Sequence, residues 1–345
     1  MRIILDGMGG DNAPDEIVKG AADVSLLIEH EICIVGDEPR IRKILSNEKH
    51  DSDKLTVRHA SEVITGEDSP VKSIRKKKDS SLVRGMEMVR DGEGDLFISA
   101  GNSGALMSGG IFILGRIEGI DRPAIGSTYP ILSKNTASLL IDAGANAECK
   151  PQALVQFAIM GSIYAKEVLK IDSPRVGLVN MGTEPGKGSV MLKETYELLT
   201  ETAPQAGLHF VGNIEARDIP IGISDVIVCD GLVGNVVLKM TEGMALSISH
   251  LIRQKFTEGL VAKAGAALLY NKLGELKKAF DYTEYGGAPI LGVKGAVVKM
   301  HGSADAKAVR NSIARAVPFM ENRVVENITN SICKLQAESS EGTHG

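Results

Sequence analysis

Three residues in the chain combine reactive side chains with a setting that suits catalysis. His301, in His301-Gly302-Ser303-Ala304-Asp305, directly follows the apolar run at 297–300. An imidazole at a strand end, ahead of a Gly-Ser helix start, is positioned to work as a general acid or an oxyanion donor. Lys187, in Glu184-Pro185-Gly186-Lys187-Gly188, is a cation flanked by glycines and is a candidate partner for an anion. Asn102, in Ser99-Ala100-Gly101-Asn102-Ser103-Gly104, offers an amide donor in a glycine-rich turn. Other chemistries find little support. There is no Gly-x-Ser-x-Gly elbow and no recognisable Ser/His/Asp order. The four cysteines, Cys33, Cys149, Cys229 and Cys333, form no CxxC pair and no zinc spacing, so no metal is expected. Widely spaced cysteines suit a reduced, cytoplasmic protein.

These candidates belong to a repeated pattern of short Ile/Val-rich run, glycine turn, then helix. Five such turns stand out. They contain Asp6, Gly9, Gly10 and Asn12; Ser99, Gly101, Ser103 and Gly104; Asn146; Asn180, Gly182 and Gly188; and Asp230, Gly231 and Asn235. Lys294 and Ser303 extend the set around the late strands. In open α/β sheets, ligands bind beyond the carboxyl ends of strands, where glycine lets backbone N–H groups approach an anion. The set therefore points to cradles for a small oxyanion such as inorganic phosphate. A dinucleotide fingerprint is incomplete, because Gly7-Met8-Gly9-Gly10-Asp11-Asn12 ends in Asn where the third glycine belongs. The Walker spacing also fails around Lys187. A phosphate nucleophile needs no covalent acyl-enzyme, so the protein has to supply orientation and an oxyanion site.

The elements that hold these turns read as a largely parallel α/β sheet. Strands are expected at 2–5, 32–35, 55–59, 96–99, 138–141, 176–179, 209–211, 226–229, 290–293 and 297–300. Helices are expected at 16–28, 152–169 and 307–335, the last broken near Pro318. Residues 336–345 read as a polar tail. No linker divides residues 1–335, which are expected to form one unit. The chain carries 38 glycines in 345 residues, no tryptophan, and a net charge of −5. Few aromatics and mild acidity argue against a nucleic-acid partner. The apolar stretch near the start is too short for a signal peptide. Residues 240–282 depart from the pattern and read as a helical hairpin with an apolar tip at Leu268 and Leu269, flanked by lysines. Such a tip suits an anionic membrane surface, and its stems suit a dimer contact. The basic run with Arg75, Lys76, Lys77 and Lys78 could dock an acidic partner.

Taken together, the Asp6–Pro14 motif, residues 99–107, 142–146, 212–218 and 230–239, and His301-Gly302-Ser303 resemble the bacterial phosphate acyltransferases. These are the acyl-acyl-carrier-protein:phosphate acyltransferases of phospholipid synthesis. Gly7 stands where that family's opening motif is expected to have Ala. The resemblance implies a three-layer α/β/α fold with a mixed, largely parallel sheet and two intertwined lobes, similar to the isopropylmalate-dehydrogenase-like and phosphate-acetyltransferase group. It implies acyl transfer from acyl carrier protein to inorganic phosphate. It also implies a homodimer at the membrane periphery, no cofactor, and delivery of acyl phosphate to a membrane glycerol-3-phosphate acyltransferase. The basic run at 75–78 then has the acidic carrier protein as its partner. Two other readings stay open on residues alone: a nicotinamide-dependent dehydrogenase on a related fold, and a non-enzymatic membrane-surface scaffold.

Overall fold

The computed structural model describes residues 1–131, 136–259, 262, 265, 269 and 287–341. Eleven described strands form one sheet. In spatial order they are β3 (Leu55–His59), β2 (Glu31–Gly36), β1 (Arg2–Asp6), β4 (Leu96–Ser99), β11 (Ala296–Lys299), β10 (Ala288–Leu291), β5 (Ala124–Ile131), β6 (Thr136–Ile141), β9 (Val226–Val228), β7 (Arg175–Asn180) and β8 (His209–Glu215). The three central pairings, β11 with β10, β10 with β5 and β5 with β6, are antiparallel, and the other seven are parallel.

Three consecutive reversals leave the two parallel halves running in opposite directions. Strands β1, β2, β3, β4 and β11 end at one edge of the sheet. Strands β6, β7, β8 and β9 end at the other.

Side chains alternate along each strand and so build different cores on the two faces. Ile3 and Leu5 join one core while Ile4 joins another. The first face carries one continuous core under α1 (Asp15–Ser25), α2 (Glu38–Leu45), α6 (Pro151–Glu167), α7 (Val190–Ala206), α9 (Ala306–Glu321) and α10 (Val324–Glu341). The second face carries two separate cores. One lies under α3 (Pro70–Lys76), α4 (Ser81–Arg90) and α5 (Ser103–Gly109). The other lies under α8 (Gly231–Thr257) and a 3-10 turn at Ala216–Ile221.

Several elements differ from expectation. Strand β5 has no counterpart among the expected strands, because Gly126, Ser127, Thr128 and Pro130 interrupt its apolar run. The late helix does not break at Pro318. Buried Phe319 and Met320 hold that turn, and the chain turns instead at Asn322 and Arg323, where Arg323 has φ +50°. The segment from 336 is helical to Glu341 rather than a tail, with Gln336 lying against Gly119. The stem expected from residue 240 is part of α8, which starts at Gly231. Most of the hairpin, including Leu268 and the lysines at 263, 272, 277 and 278, lies outside the described residues. Leu269 is described and exposed. No described helix is long and apolar enough to cross a membrane.

Candidate active site

Asp6 ends β1 fully buried. Its Oδ1 accepts the N–H groups of Met8 and Gly9, both at 3.1 Å, and the Ser99 hydroxyl donates to its Oδ2 at 2.6 Å. Burial pushes the carboxyl up, while the Ser81 and Ser99 hydroxyls and the two N–H groups oppose that shift. Ser99 Oγ in turn accepts the Gly101 N–H at 2.9 Å. Asp6 thus ties the first glycine turn to the turn after β4. A Cβ at Gly9 would sit 2.4 Å from Asp6 Oδ2, so only glycine permits that approach. The Asn12 amide donates to the carbonyls of Ser303 and Ala304, at 3.1 and 3.3 Å, and staples the first turn to the His301 loop.

A second buried aspartate repeats the device in the other half. Asp142 directly follows β6 and accepts from the N–H groups of Ile125, Gly144, Ala145 and Asn146. The Asn146 amide donates to Asp142 Oδ2 and to the Pro123 carbonyl, both at 2.8 Å. The start of α8 rests directly on this turn. Asp230 caps α8 through the Val233 N–H, and a Cβ at Gly234 would meet the Asp142 carbonyl oxygen at 1.9 Å. In the sequence Asp142 is one residue of its turn, whereas in the structure its carboxylate organises that turn.

The candidate residues do not converge on one point. Asn102 caps α5 by accepting the Ala105 N–H, and its Nδ2 donates to the carbonyls of Thr65, Gly66 and Asp68, each at 3.2 Å. Its amide is fully engaged in pinning that loop. Asn180 likewise holds its own loop by accepting the Met181 N–H and donating to the Lys187 carbonyl. Gly188, at φ +88°, packs against the Asn180 amide. Lys187 is exposed and lies 4.0 Å from Glu184. Its strand, β7, stands five strand positions from β11, roughly 24 Å at ~4.8 Å per strand. It also ends at the opposite edge. Lys294 is exposed in the turn between β10 and β11, again away from His301.

A cleft of about 590 Å³ opens where the two cores of the second face part. Its floor is β5, from Ile125 to Pro130. One wall is α8, tied to the floor by a 3.1 Å hydrogen bond between Tyr129 Oη and Thr241 Oγ1. Gly144 and Asn235 lie at one end, and Ser103, Met300, His301 and Gly302 at the other. Leu238, Met244, Ala245 and Ile248 add apolar lining along α8. Of the sequence-derived candidates, Ser103, Asn235 and His301 line this cleft.

His301 Nδ1 accepts the Ser303 N–H at 3.3 Å and faces the Ser303 hydroxyl at 2.8 Å. A nitrogen that accepts from a backbone N–H is unprotonated, so the neutral ring carries its proton on Nε2. Burial lowers the His301 pKa, and the charges of Lys299 and Lys239 lower it further. Both lysines line the cleft, and neither was singled out from the sequence. The signal for Lys299 was available: in Ala-Val-Val-Lys it shares a face with buried Val297, so its ammonium enters the interior of the second face. Burial lowers the Lys299 pKa as well, and Lys239 adds to the effect. Lys239 pairs with Glu242 at 2.7 Å.

Thiol chemistry is poorly served. Burial first, then the Asp142 and Asp230 charges, push the Cys149 thiol up to about 11. Burial pushes Cys229 up as well. Neither is a ready thiolate. Among the described residues no cluster of His, Cys, Asp or Glu could hold a metal ion.

Residues 1–327 match the family model described as "Fatty acid synthesis protein". The chain is 50% identical over 335 residues to a phosphate acyltransferase from Alkaliphilus oremlandii, covering 97% of this chain and 98% of that protein. It is 46% identical over 339 residues to the phosphate acyltransferase of Clostridioides difficile, covering 98% of each. Among solved structures, a phosphotransacetylase from Streptococcus pyogenes superposes with a TM-score of 0.62 at 15% identity, covering 94% of each chain. A 4-hydroxythreonine-4-phosphate dehydrogenase from Klebsiella pneumoniae superposes with a TM-score of 0.54 at 12% identity, covering 92% of this chain and 98% of that one. These distant structures share the fold.

Proposed function

The chain belongs to the phosphate acyltransferase family, acyltransferases of fatty acid and phospholipid synthesis, and on that premise we propose that it moves a fatty acyl group from an acyl carrier protein thioester to inorganic phosphate in the cleft between α5 and α8. The observation that carries the reading is the cleft's polarity. An end carrying the Lys299 and Lys239 ammonium groups beside the neutral His301 continues into an apolar groove along α8. Phosphate suits the first and an alkyl chain the second. The dehydrogenase and scaffold readings lapse with the family assignment.

In the proposed reaction a phosphate oxygen attacks the thioester carbonyl carbon. A C–O bond forms and the carbonyl becomes a tetrahedral oxyanion. Collapse breaks the C–S bond, and the sulfur leaves on the carrier as a thiolate that then takes up a proton. Phosphate is already anionic near neutral pH, and a thiolate is a competent leaving group. No acyl-enzyme and no cofactor are called for. The His301 Nε2–H is the candidate donor to the oxyanion. Asp6, Asn12, Asn102 and Asn146 act as positioning residues that set the loops around the cleft.

The carrier is proposed to dock near Arg75, Lys76 and Lys78. Arg75 stacks over exposed Phe112 at 5.5 Å, which adds an apolar element to the basic patch. Lys77 belongs to the fold instead, since it pairs with Asp68 at 2.6 Å and donates to the Val63 carbonyl. Leu232, Val236, Leu246 and Leu251 are exposed apolar residues of α8 outside the cleft lining, which supports a homodimer contact. Peripheral membrane association through Leu268 and Leu269 is part of the same proposal, with the acyl phosphate passing to a membrane glycerol-3-phosphate acyltransferase. Leu268→Ser with Leu269→Ser should abolish sedimentation with anionic vesicles, and unchanged sedimentation would remove that part. The main reading is tested by incubating the protein with acyl carrier protein thioester and phosphate, then trapping acyl phosphate as hydroxamate. Phosphate-dependent hydroxamate is expected, and its absence overturns the reading.

A further inference from the structure

We propose that Lys299 and Lys239 together form the phosphate-holding site of the cleft, one ammonium from the sheet and one from α8, with Glu242 as an internal competitor for Lys239. The inference rests on the acyl-transfer reading and assigns to it the residues that hold the nucleophile.

The two lysines are 60 positions apart in sequence and reach the cleft from different walls. Lys299 leaves the last position of β11, beside Ala288 of β10 and Ser99 of β4. Its alternation with Val297 directs it onto the cleft side of the sheet. It is largely withdrawn from water, and Lys239 is close enough for its charge to act on it. An ammonium in such a position is costly without an anion.

The acidic group facing both lysines is Glu242, paired with Lys239 one helical turn away on α8. Asp11 acts on His301 from the first glycine turn. Two ammonium groups against Glu242 leave positive charge in excess where a compact dianion could sit. Phosphate offers several acceptor oxygens and so can bridge two walls at once. His301, two residues after Lys299, would then lie beside the reacting carbonyl. Binding phosphate here draws Lys239 away from Glu242 and screens the repulsion between the lysines. In this role the lysines act on the nucleophile, and carrier recognition is left to other surfaces.

The experiment measures hydroxamate-trapped acyl phosphate with phosphate varied at saturating carrier thioester, and then the reverse. Lys299→Met and Lys239→Met should each raise the KM for phosphate at least about tenfold while the KM for carrier thioester stays within about twofold. Lys299→Arg should recover part of the loss, and Glu242→Gln should lower the phosphate KM. In parallel, inorganic phosphate should raise the thermal midpoint of the wild-type protein, with less effect in either Lys→Met variant. That second measurement needs no turnover. Folded Lys→Met variants with an unchanged phosphate KM, alongside an active wild type, overturn the site but leave the acyl-transfer reading intact. If the wild type forms no acyl phosphate yet is stabilised by phosphate through Lys299 and Lys239, the site stands and the reading falls. Should a Lys→Met variant not fold, Lys299→Arg and Glu242→Gln decide through their phosphate KM, and no change in either overturns the site.

Discussion

Replacing Asn102 by alanine separates a substrate-touching amide from one that builds the loops around the site. The side chain accepts one N–H as the cap of α5 and shares its two N–H hydrogens among the carbonyls of Thr65, Gly66 and Asp68. Losing the cap costs about 1 kcal/mol. Each lost donor costs about 0.5 kcal/mol, at the low end of the usual range because the loop is partly solvated. The variant should therefore be less stable by about 2 kcal/mol. At a urea dependence of roughly 3 kcal/mol per molar, the unfolding midpoint falls by about 0.7 M. Loosening of the 65–68 loop should also increase its cleavage in limited proteolysis. Activity by hydroxamate trapping should fall in step with the population of the disordered loop and recover partly on cooling. A hundredfold loss of turnover with an unchanged urea midpoint and unchanged proteolysis would refute the reasoning and return Asn102 to direct contact with substrate.

Three further predictions follow from the same geometry. The depressed pKa of His301 means the unfolded chain, near its ordinary 6.5, takes up a proton before the folded one does as pH falls. This contribution to stability is therefore fully present above about 6.5 and erodes below it, down to the folded pKa. The His301 imidazole, followed directly by NMR, should accordingly titrate below 6.5, and a midpoint at or above 6.5 would contradict a depressed His301 pKa. Gly234→Ala drives a methyl into the Asp142 carbonyl oxygen and should lift the start of α8, lowering the thermal midpoint sharply and abolishing turnover. Gly186→Ala, where a Cβ meets nothing within 4 Å, serves as the neutral control. Lys76→Glu with Lys78→Glu should raise the KM for carrier thioester at least about fivefold at low salt, with the phosphate KM unmoved. An equal effect at high salt would argue against electrostatic docking.

Much of this protein is legible in the linear sequence because the relevant physics is local. Short Ile/Val runs ending in Asp-Gly or Ser-Ala-Gly identify strand ends, and the turns they mark are the ones that Asp6 and Asp142 organise. The helix start after Asp230 rests on capping chemistry within one turn, although the sequence reading places that stem only from residue 240. Long-range pairing decided the rest. Period-two alternation says which residues share a face of a strand, but nothing local fixes the direction of its neighbour. The antiparallel placement of β10 and β5 sends the strand ends of the two halves to opposite edges. The glycine turns that look equivalent in sequence are thereby divided, and Lys187 is parted from His301. The same placement joins residues that the sequence keeps apart. Lys239 and Lys299 line one cleft because α8 lies over β5 beside the end of β11. Local propensity determined the parts, whereas the hydrogen-bonded order of the strands, a property of the whole chain, determined which parts share a cleft.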